Sequence, residues 1–205
     1  FYNNLSKIKF NYLPDAVILA VKPQIMEIVL LELKMLGIKS SCWLTIAAGL
    51  PIKFYENILG KNQSIVRTIP NTPASILKGV TALCYNQNCK RAQIEHANLL
   101  MEAVGIILQV RDECLMDSIT AVSGSGPAYI FYMIEAMIEA AIKIGIDKED
   151  AVKLVEGTLV GSAFLLENSE EEVSKLRKAV TSPNGTTEAG LSILSNNDSF
   201  FNLIR

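Results

Sequence analysis

Histidine occurs once in this 205-residue sequence, as His96, and cysteine four times, at 42, 84, 89 and 114. One imidazole cannot build a multi-histidine metal site or sit easily in a Ser-His-Asp triad, and the cysteines form no C-x-x-C pair. His96 stands mid-helix in Glu95-His96-Ala97 with no ligand-type residue placed to help it, so a structural or surface role is expected. The cysteines are expected to be buried free thiols, and no metal is expected. Any chemistry must then be borrowed from a cofactor or done with backbone amides and hydroxyls.

Five segments offer such groups. Ala20-Val21-Lys22-Pro23 follows a β-branched run, and in open α/β sheets ligands bind beyond the carboxyl ends of the strands. A Lys there can meet a phosphate, and amides can line a ribose; a solvated Lys after a strand is the plainer alternative. Ile46-Ala47-Ala48-Gly49 either lets a flat ligand approach or simply ends a strand. Arg67-Thr68-Ile69-Pro70-Asn71-Thr72-Pro73 sets Asn-Thr between two prolines, as a stiff polar loop or an ordinary turn. Ser123-Gly124-Ser125-Gly126-Pro127-Ala128-Tyr129 contains G-x-G, but Tyr129 replaces the third glycine of a dinucleotide turn and no clear strand precedes it. It reads as a small-residue turn feeding a helix with Pro127 at its first position. Val180-Thr181-Ser182-Pro183-Asn184-Gly185-Thr186-Thr187-Glu188 precedes a helix-like stretch beginning near Glu188. It makes either a small-anion site suited to a carboxylate or only an N-cap and loop.

The elements that must position these groups fall into two patterns. Strand-like runs at 15–21, 43–48, 64–69, 80–85 and 106–110 alternate with helical patterns at 24–36, after Pro51, and at 90–104. Alternation of this kind implies a mostly parallel sheet with covering helices. Beyond Val110 only helical spacing remains, at 127–145, at 148–166 behind Asp147, and at 170–179. The fold class is therefore α/β then all-α, with the boundary near 110–118 and domains at 1–112 and 113–205. Gly157 and Gly161 stand four apart on the second long helix, spaced either for close helix approach, within or between subunits, or for local packing alone. Half the residues are hydrophobic and 20% charged, with 19 Lys and Arg against 21 Asp and Glu for a net charge of −2. That balance argues against disorder and against a nucleic-acid surface. The polar start, Phe1-Tyr2-Asn3-Asn4, shows no secretory signal, and no apolar run reaches the length of a membrane span. A start at Phe rather than Met points to a trimmed or partly observed chain.

In combination the segments at 20–23, 67–73, 123–129 and 180–190 resemble the pyrroline-5-carboxylate reductases, in that family's order and over essentially the whole chain. The resemblance implies a Rossmann-like domain for NADPH or NADH, followed by a helical dimerisation and substrate-binding domain. It implies hydride transfer from the nicotinamide to the C=N carbon of 1-pyrroline-5-carboxylate, giving L-proline, the last step of proline biosynthesis. By the same resemblance Ala20, Val21, Lys22 and Pro23, with Ala47 and Ala48, line the cofactor, and Asn71 and Thr72 lie toward its nicotinamide. Ser182, Gly185, Thr186 and Thr187 hold the substrate carboxylate, with the Thr187 hydroxyl, the catalytic group, facing the ring nitrogen. Glu113, Ser123 and Ser125 border the same pocket. The family also implies a homodimer, in which the substrate loop comes from the partner subunit relative to the cofactor domain, or a decamer of dimers. A cytoplasmic location is expected, with neither nucleic acid nor membrane as partner. A protonated cyclic imine is already electrophilic, so orientation matters more than a strong general acid.

Three departures qualify the resemblance. The family's opening strand, G-x-G-x-x-G turn and following α/β stretch are absent from the sequence as written, its last helix is cut short at Arg205, and Asn184 stands where many relatives carry Gly. Asn tolerates left-handed backbone, so little harm is expected there. A different NAD(P)H reductase of the same layout, such as a β-hydroxyacid dehydrogenase or imine reductase, is one alternative. The hydroxyacid enzymes carry a catalytic Lys on the helix after their glycine-rich turn, and residues 129–141 contain none. A non-catalytic dimerisation fragment is the other.

Overall fold

The computed structural model describes residues 13–204 of the chain. The polar start at 1–4 lies outside the described residues. β1 (Val17–Leu19) runs into Lys22, whose extended backbone is followed by Pro23 at the first position of α1 (Pro23–Met35). Proline fits there because its fixed φ suits a helix start and its missing amide would be unbonded anyway. Gly37, with φ of 67°, turns the chain out of α1. β2 (Trp43–Thr45), α2 (Ile52–Leu59), β3 (Ile65–Pro70), β4 (Gly79–Tyr85), α3 (Arg91–Glu102) and β5 (Gly105–Gln109) follow.

The five strands pair in sequence order, β1-β2-β3-β4-β5. β1, β2 and β3 are parallel, each joined to the next by a crossover helix; β4 runs antiparallel to β3, and β5 parallel to β4. The reversal follows from the connection. Residues 71–78 hold only a 3-10 turn, Thr72–Ile76, too short for the crossover that a parallel pair requires.

The two faces bury different side chains because neighbours on a strand point opposite ways. On one face Met26, Leu30 and Leu33 of α1, with Ile52 and Tyr55 of α2, pack on Leu19, Trp43, Ile65, Ile69, Ala82 and Cys84. On the other, Ala97 and Met101 of α3 cover Cys42, Leu44, Val66 and Leu83. Each fully buried Leu, Ile, Val or Met side chain among them contributes about 1.5–3 kcal/mol of transfer free energy.

Among the described residues every element after β5 is helical: α4 (Leu115–Ile119), α5 (Gly126–Lys143), α6 (Lys148–Glu167), α7 (Val173–Ala179), α8 (Thr186–Leu194) and α9 (Ser199–Ile204). One expectation is corrected here. Ser123-Gly124 is not a turn but ends a π-helical segment, Thr120–Gly124, and Ser125 follows it as the C-cap before α5. The Ser125 amide donates five residues back to the Thr120 carbonyl, at 2.9 Å. The hydroxyls of Thr120 and Ser123 donate to the Met116 and Ile119 carbonyls at 2.7 and 3.0 Å, so residues expected to break the helix are bonded into it.

The chain forms two compact units that divide between Phe131 and Tyr132, inside α5. In the second unit Ala151 and Val155 are buried, but Phe164, Leu165, Leu166, Ile193 and Phe201 are exposed. Gly157 and Gly161 face open space.

Gly105 marks where the first unit tolerates no side chain. Its φ is 148°, and a Cβ would sit 2.0 Å from the Gly79 carbonyl oxygen on the paired strand. Gly105→Ala is expected to destabilise the protein by about 2–3 kcal/mol in urea unfolding, from overpacking together with backbone strain. Gly60→Ala, where φ is 112° but the surrounding space is open, is expected to cost less; equal effects would show that close approach is not the constraint.

Candidate functional site

The parallel register sets Leu19, Thr45 and Arg67 side by side on β1, β2 and β3. The segments that follow, 20–23, 46–49 and 68–72, therefore leave the same edge of the sheet. Ala20, Lys22, Ala48 and Thr72 are exposed there, Val21, Pro23 and Asn71 half-buried, and Ala47 buried. The Ala47 amide donates to Thr45 Oγ1 at 3.2 Å, and the same hydroxyl meets Tyr55 Oη at 2.7 Å. Gly49 has φ of 77° and open space where a side chain would stand. Small side chains and an uncovered backbone leave room for a flat ligand, so these residues fit a nicotinamide cofactor.

Asn71 is committed to the protein itself. Its Oδ1 accepts from the Val80 amide at 2.8 Å and its Nδ2 donates to the Ser123 carbonyl at 3.0 Å. It thereby ties the start of β4 to the π-helical segment. The Ser123 side chain likewise reaches back to Ile119, which leaves its hydroxyl oxygen free to accept.

Arg67 is the residue that the sequence reading did not single out. Its signal was one cation inside an otherwise apolar strand. Ile65 and Ile69 put their side of β3 against α2, so Arg67 between them points the same way and is only 3% exposed. Its Nη1 donates to Glu113 Oε1 at 2.8 Å and its Nη2 to Asp117 Oδ1 at 3.4 Å. Glu113 Oε1 also accepts from the Ile52 amide, the first of α2, at 2.7 Å. Glu113, expected beside the amino-acid ligand, thus has one oxygen fixed in a clasp joining β3, α2 and the start of α4. Asp117 is exposed and adds little. The Cys84 thiol, on the same face, is pushed up to about 11, chiefly by burial and then by the Glu113 charge. Burial likewise pushes the Tyr55 phenol up.

The second unit holds the remaining residues together at the start of α8. Gly185 is its N-cap, and Thr186 and Thr187 form its first turn, two residues ahead of the expected start near Glu188. No side chain caps this helix end, so the amides of Thr186 and Thr187 are offered outward beside their hydroxyls. Asn184 has φ of 59°, the left-handed geometry anticipated for it, and its amide donates to Glu188 Oε2 at 2.7 Å. Gly185 lies close under Ser182, whose Oγ would be 2.5 Å from a Cβ placed there. Ser182, Thr186 and Thr187 are all exposed. His96 is exposed on α3, as anticipated. Of the four cysteines, none in a disulfide, only Cys42 and Cys84 are buried; Cys89 is half-buried and Cys114, at the start of α4, is exposed. The expectation of four buried thiols is corrected accordingly.

The clasp makes an asymmetric prediction. Removing Glu113 strands a buried guanidinium, whereas removing Arg67 leaves a carboxylate that is 31% exposed and still holds the Ile52 amide. Glu113→Ala is expected to cost about 3–5 kcal/mol in chemical unfolding, and Arg67→Met clearly less. The opposite order would mean that the arginine is not the group that needs its partner.

Residues 113–203 match the family profile described as pyrroline-5-carboxylate reductase dimerisation. The pyrroline-5-carboxylate reductase of Pseudomonas aeruginosa is 44% identical over 177 residues, which are 86% of this chain and 65% of that protein. The chain spans about two thirds of the length of the curated relatives it matches. A solved pyrroline-5-carboxylate reductase from Coxiella burnetii superposes with a TM-score of 0.85 at 40% identity, covering 93% of this chain and 70% of that one. The Plasmodium falciparum enzyme, solved with NADP bound, gives 0.81 at 34% identity, covering 93% and 71%. A Rossmann-like sheet and a helical C-terminal dimerisation region are thus shared with these proteins, and the chain belongs to the pyrroline-5-carboxylate reductase family.

Proposed function

We propose that this chain carries the working parts of an NAD(P)H-dependent reductase that converts 1-pyrroline-5-carboxylate to L-proline, the last step of proline biosynthesis. The observation that supports it most is the loop at 182–187. There a left-handed Asn184, a glycine N-cap and two threonines present amides and hydroxyls at an uncapped helix start. Such a site accepts a carboxylate without any cationic side chain.

In this reading Ala20, Val21, Lys22, Pro23, Ala47 and Ala48 hold the cofactor, with Asn71 and Thr72 toward its nicotinamide. Asn71 does so while pinning the π-helical segment. The bound nicotinamide supplies a hydride to the C=N carbon. Ser182, Gly185, Thr186 and Thr187 orient the substrate by its carboxylate, and the Thr187 hydroxyl holds the ring nitrogen by a hydrogen bond. In the same reading Ser123, Ser125 and Glu113 border the substrate. Orientation is the main contribution of these groups, because the protonated imine is already electrophilic.

Thr187→Val keeps the size of the side chain and removes the hydroxyl. In assays of cofactor oxidation with pyrroline-5-carboxylate, kcat/KM is expected to fall at least tenfold (~1.4 kcal/mol) with helicity unchanged. Unaltered kinetics would remove Thr187 from the mechanism.

The reading includes a homodimer, with a decamer of dimers as the higher form, working in the cytoplasm. Unpaired cysteines suit that compartment. Among the described residues no helix is long and apolar enough to cross a membrane. The exposed apolar side chains of α5 and α6, including Tyr132, Met137, Phe164 and Leu165, need a cover that a second copy supplies. Sedimentation at micromolar concentration is expected to give at least twice the mass of one chain; a stable monomer would overturn this part of the reading.

A further inference from the structure

Asn184-Gly185 is the one Asn-Gly pair in the sequence, and it stands where the loop enters α8. The Gly185 amide donates to the Ser182 carbonyl at 3.1 Å, with Pro183 and a left-handed Asn184, at φ of 59°, between them. Proline second and a positive φ third are what such a tight turn requires. Asn184 is exposed, and its side-chain carboxamide forms no hydrogen bond among the described residues; only its backbone amide is bonded, to Glu188 Oε2. The residue after it has no Cβ to shield its backbone nitrogen. An open carboxamide and an unhindered nitrogen therefore stand side by side. The bond from Gly185 to Ser182 is the restraint between them, and it lies in a loop whose residues 182–184 are all exposed, where local opening costs little.

We propose that Asn184-Gly185 is a site of spontaneous covalent modification, deamidation through a cyclic imide, which dismantles the polar site at the start of α8. The Gly185 nitrogen gives up its proton to solvent and attacks Cγ of Asn184. The bond from Cγ to Nδ2 breaks, and that nitrogen leaves as ammonia, which closes the imide ring. Water then adds to either ring carbonyl. Opening at Cγ leaves aspartate, and opening at the main-chain carbonyl leaves isoaspartate, with the chain running through Cγ. In total one water is consumed and one ammonia released, and no electrons are exchanged.

Either product changes the loop. Both put a carboxylate where a neutral group stood, beside the Glu188 carboxylate that already bonds this residue. Isoaspartate also lengthens the main chain ahead of Gly185, which has no room to shift under Ser182, whose Oγ would lie 2.5 Å from a Cβ placed there. The amides and hydroxyls of Thr186 and Thr187 are then displaced and face added negative charge. The chemistry stands on the loop alone; its effect on the substrate rests on the reading of this helix start as the carboxylate site.

Other asparagines serve as internal controls. Asn168 is followed by Ser169, and its Nδ2 donates to the Phe164 carbonyl at 2.8 Å. Asn197 shares the left-handed backbone, at φ of 52°, but Asp198 follows it, with a side chain that crowds the amide and a charge that opposes its deprotonation.

The test stores the purified protein in mildly alkaline buffer and maps its peptides by mass spectrometry over time, with electron-transfer fragmentation to separate aspartate from isoaspartate. Asn184 is expected to gain the mass of carboxylate over carboxamide about tenfold faster than Asn168, whose bond must break first, and ahead of Asn197. Saturating L-proline should slow the conversion by holding the loop closed. As conversion proceeds, KM for pyrroline-5-carboxylate should rise in step with it. Asn184→Gly, which has no carboxamide to lose, should keep its own starting KM through the same storage; the wild-type map stands without this variant. The proposal fails if Asn184 stays amidated while a urea-unfolded sample converts, or if Asn168 or Asn197 converts first. Conversion of Asn184 with KM unchanged would instead leave the modification standing and overturn the reading of this loop as the carboxylate site.

Discussion

A guanidinium buried inside a sheet is the constraint around which the first unit is arranged. Arg67 lies on the central strand β3 with hydrophobic neighbours on its own face, and a charge there is tolerated only with a partner. The partner, Glu113, comes from beyond the last strand and must reach back across the sheet edge. Its bonded oxygen is shared with the first amide of α2, which is otherwise one of the unbonded groups at a helix start. One carboxylate oxygen therefore fixes three things together: the direction of β3, the start of α2, and the point at which the helical region leaves the sheet. Asn71 makes a second tie, from the β3–β4 loop to the π-helical segment. The residues at the carboxyl ends of the strands sit on a frame closed by these bonds.

That frame explains why the compact division of the chain does not coincide with the end of the strand pattern. Met116 is wholly buried in the sheet core and Ile119 packs against it. Residues 113–124 lie within the stretch matching the family's dimerisation profile, yet by packing, ion pair and hydrogen bond they are part of the sheet unit. Sequence similarity records which residues descend together, whereas contacts record which residues are held together, and here the two differ over residues 113–131, which hold α4, the π-helical segment and the start of α5.

The sheet was legible because its signals are local. Val17 to Leu19, Trp43 to Thr45 and Ile65 to Ile69 are apolar runs closed by Pro or Gly, and Pro23 and Pro51 mark helix starts on their own. The reversal at β4 was not legible from strand propensity, since it depends on how much chain lies between Pro70 and Gly79. The composition of the Ser-Gly-Ser-Gly run favours turns; hydroxyl bonds from Thr120 and Ser123 to carbonyls four residues earlier, Met116 and Ile119, decide for the helix instead. By sequence Arg67 opens a loop motif, while its own role depends on a carboxylate 46 positions away. A partner at that separation cannot be found by spacing. The start of α8 at Thr186 was hidden for a related reason: Gly185 is a weak helix former, but as N-cap it need not be helical at all.

The two halves of the chain use opposite ways of presenting polar groups. At the sheet edge the backbone is made available by subtraction, through Ala20, Ala48 and Gly49, while the polar side chains nearby, Asn71 and Thr45, are spent on holding the frame. At α8 the groups are presented directly, with a left-handed Asn184 bending the chain so that unspent amides and hydroxyls face out. Neither arrangement calls on an ionisable side chain whose protonation must be tuned, which is why a chain with one exposed histidine can still carry an ordered polar site. The buried Arg67 charge lies in the core and acts on structure, so substitutions that preserve net charge but shift it by one position along β3 would turn a paired cation away from Glu113 and toward the apolar face of Val66 and Leu83, which Ala97 and Met101 of α3 cover.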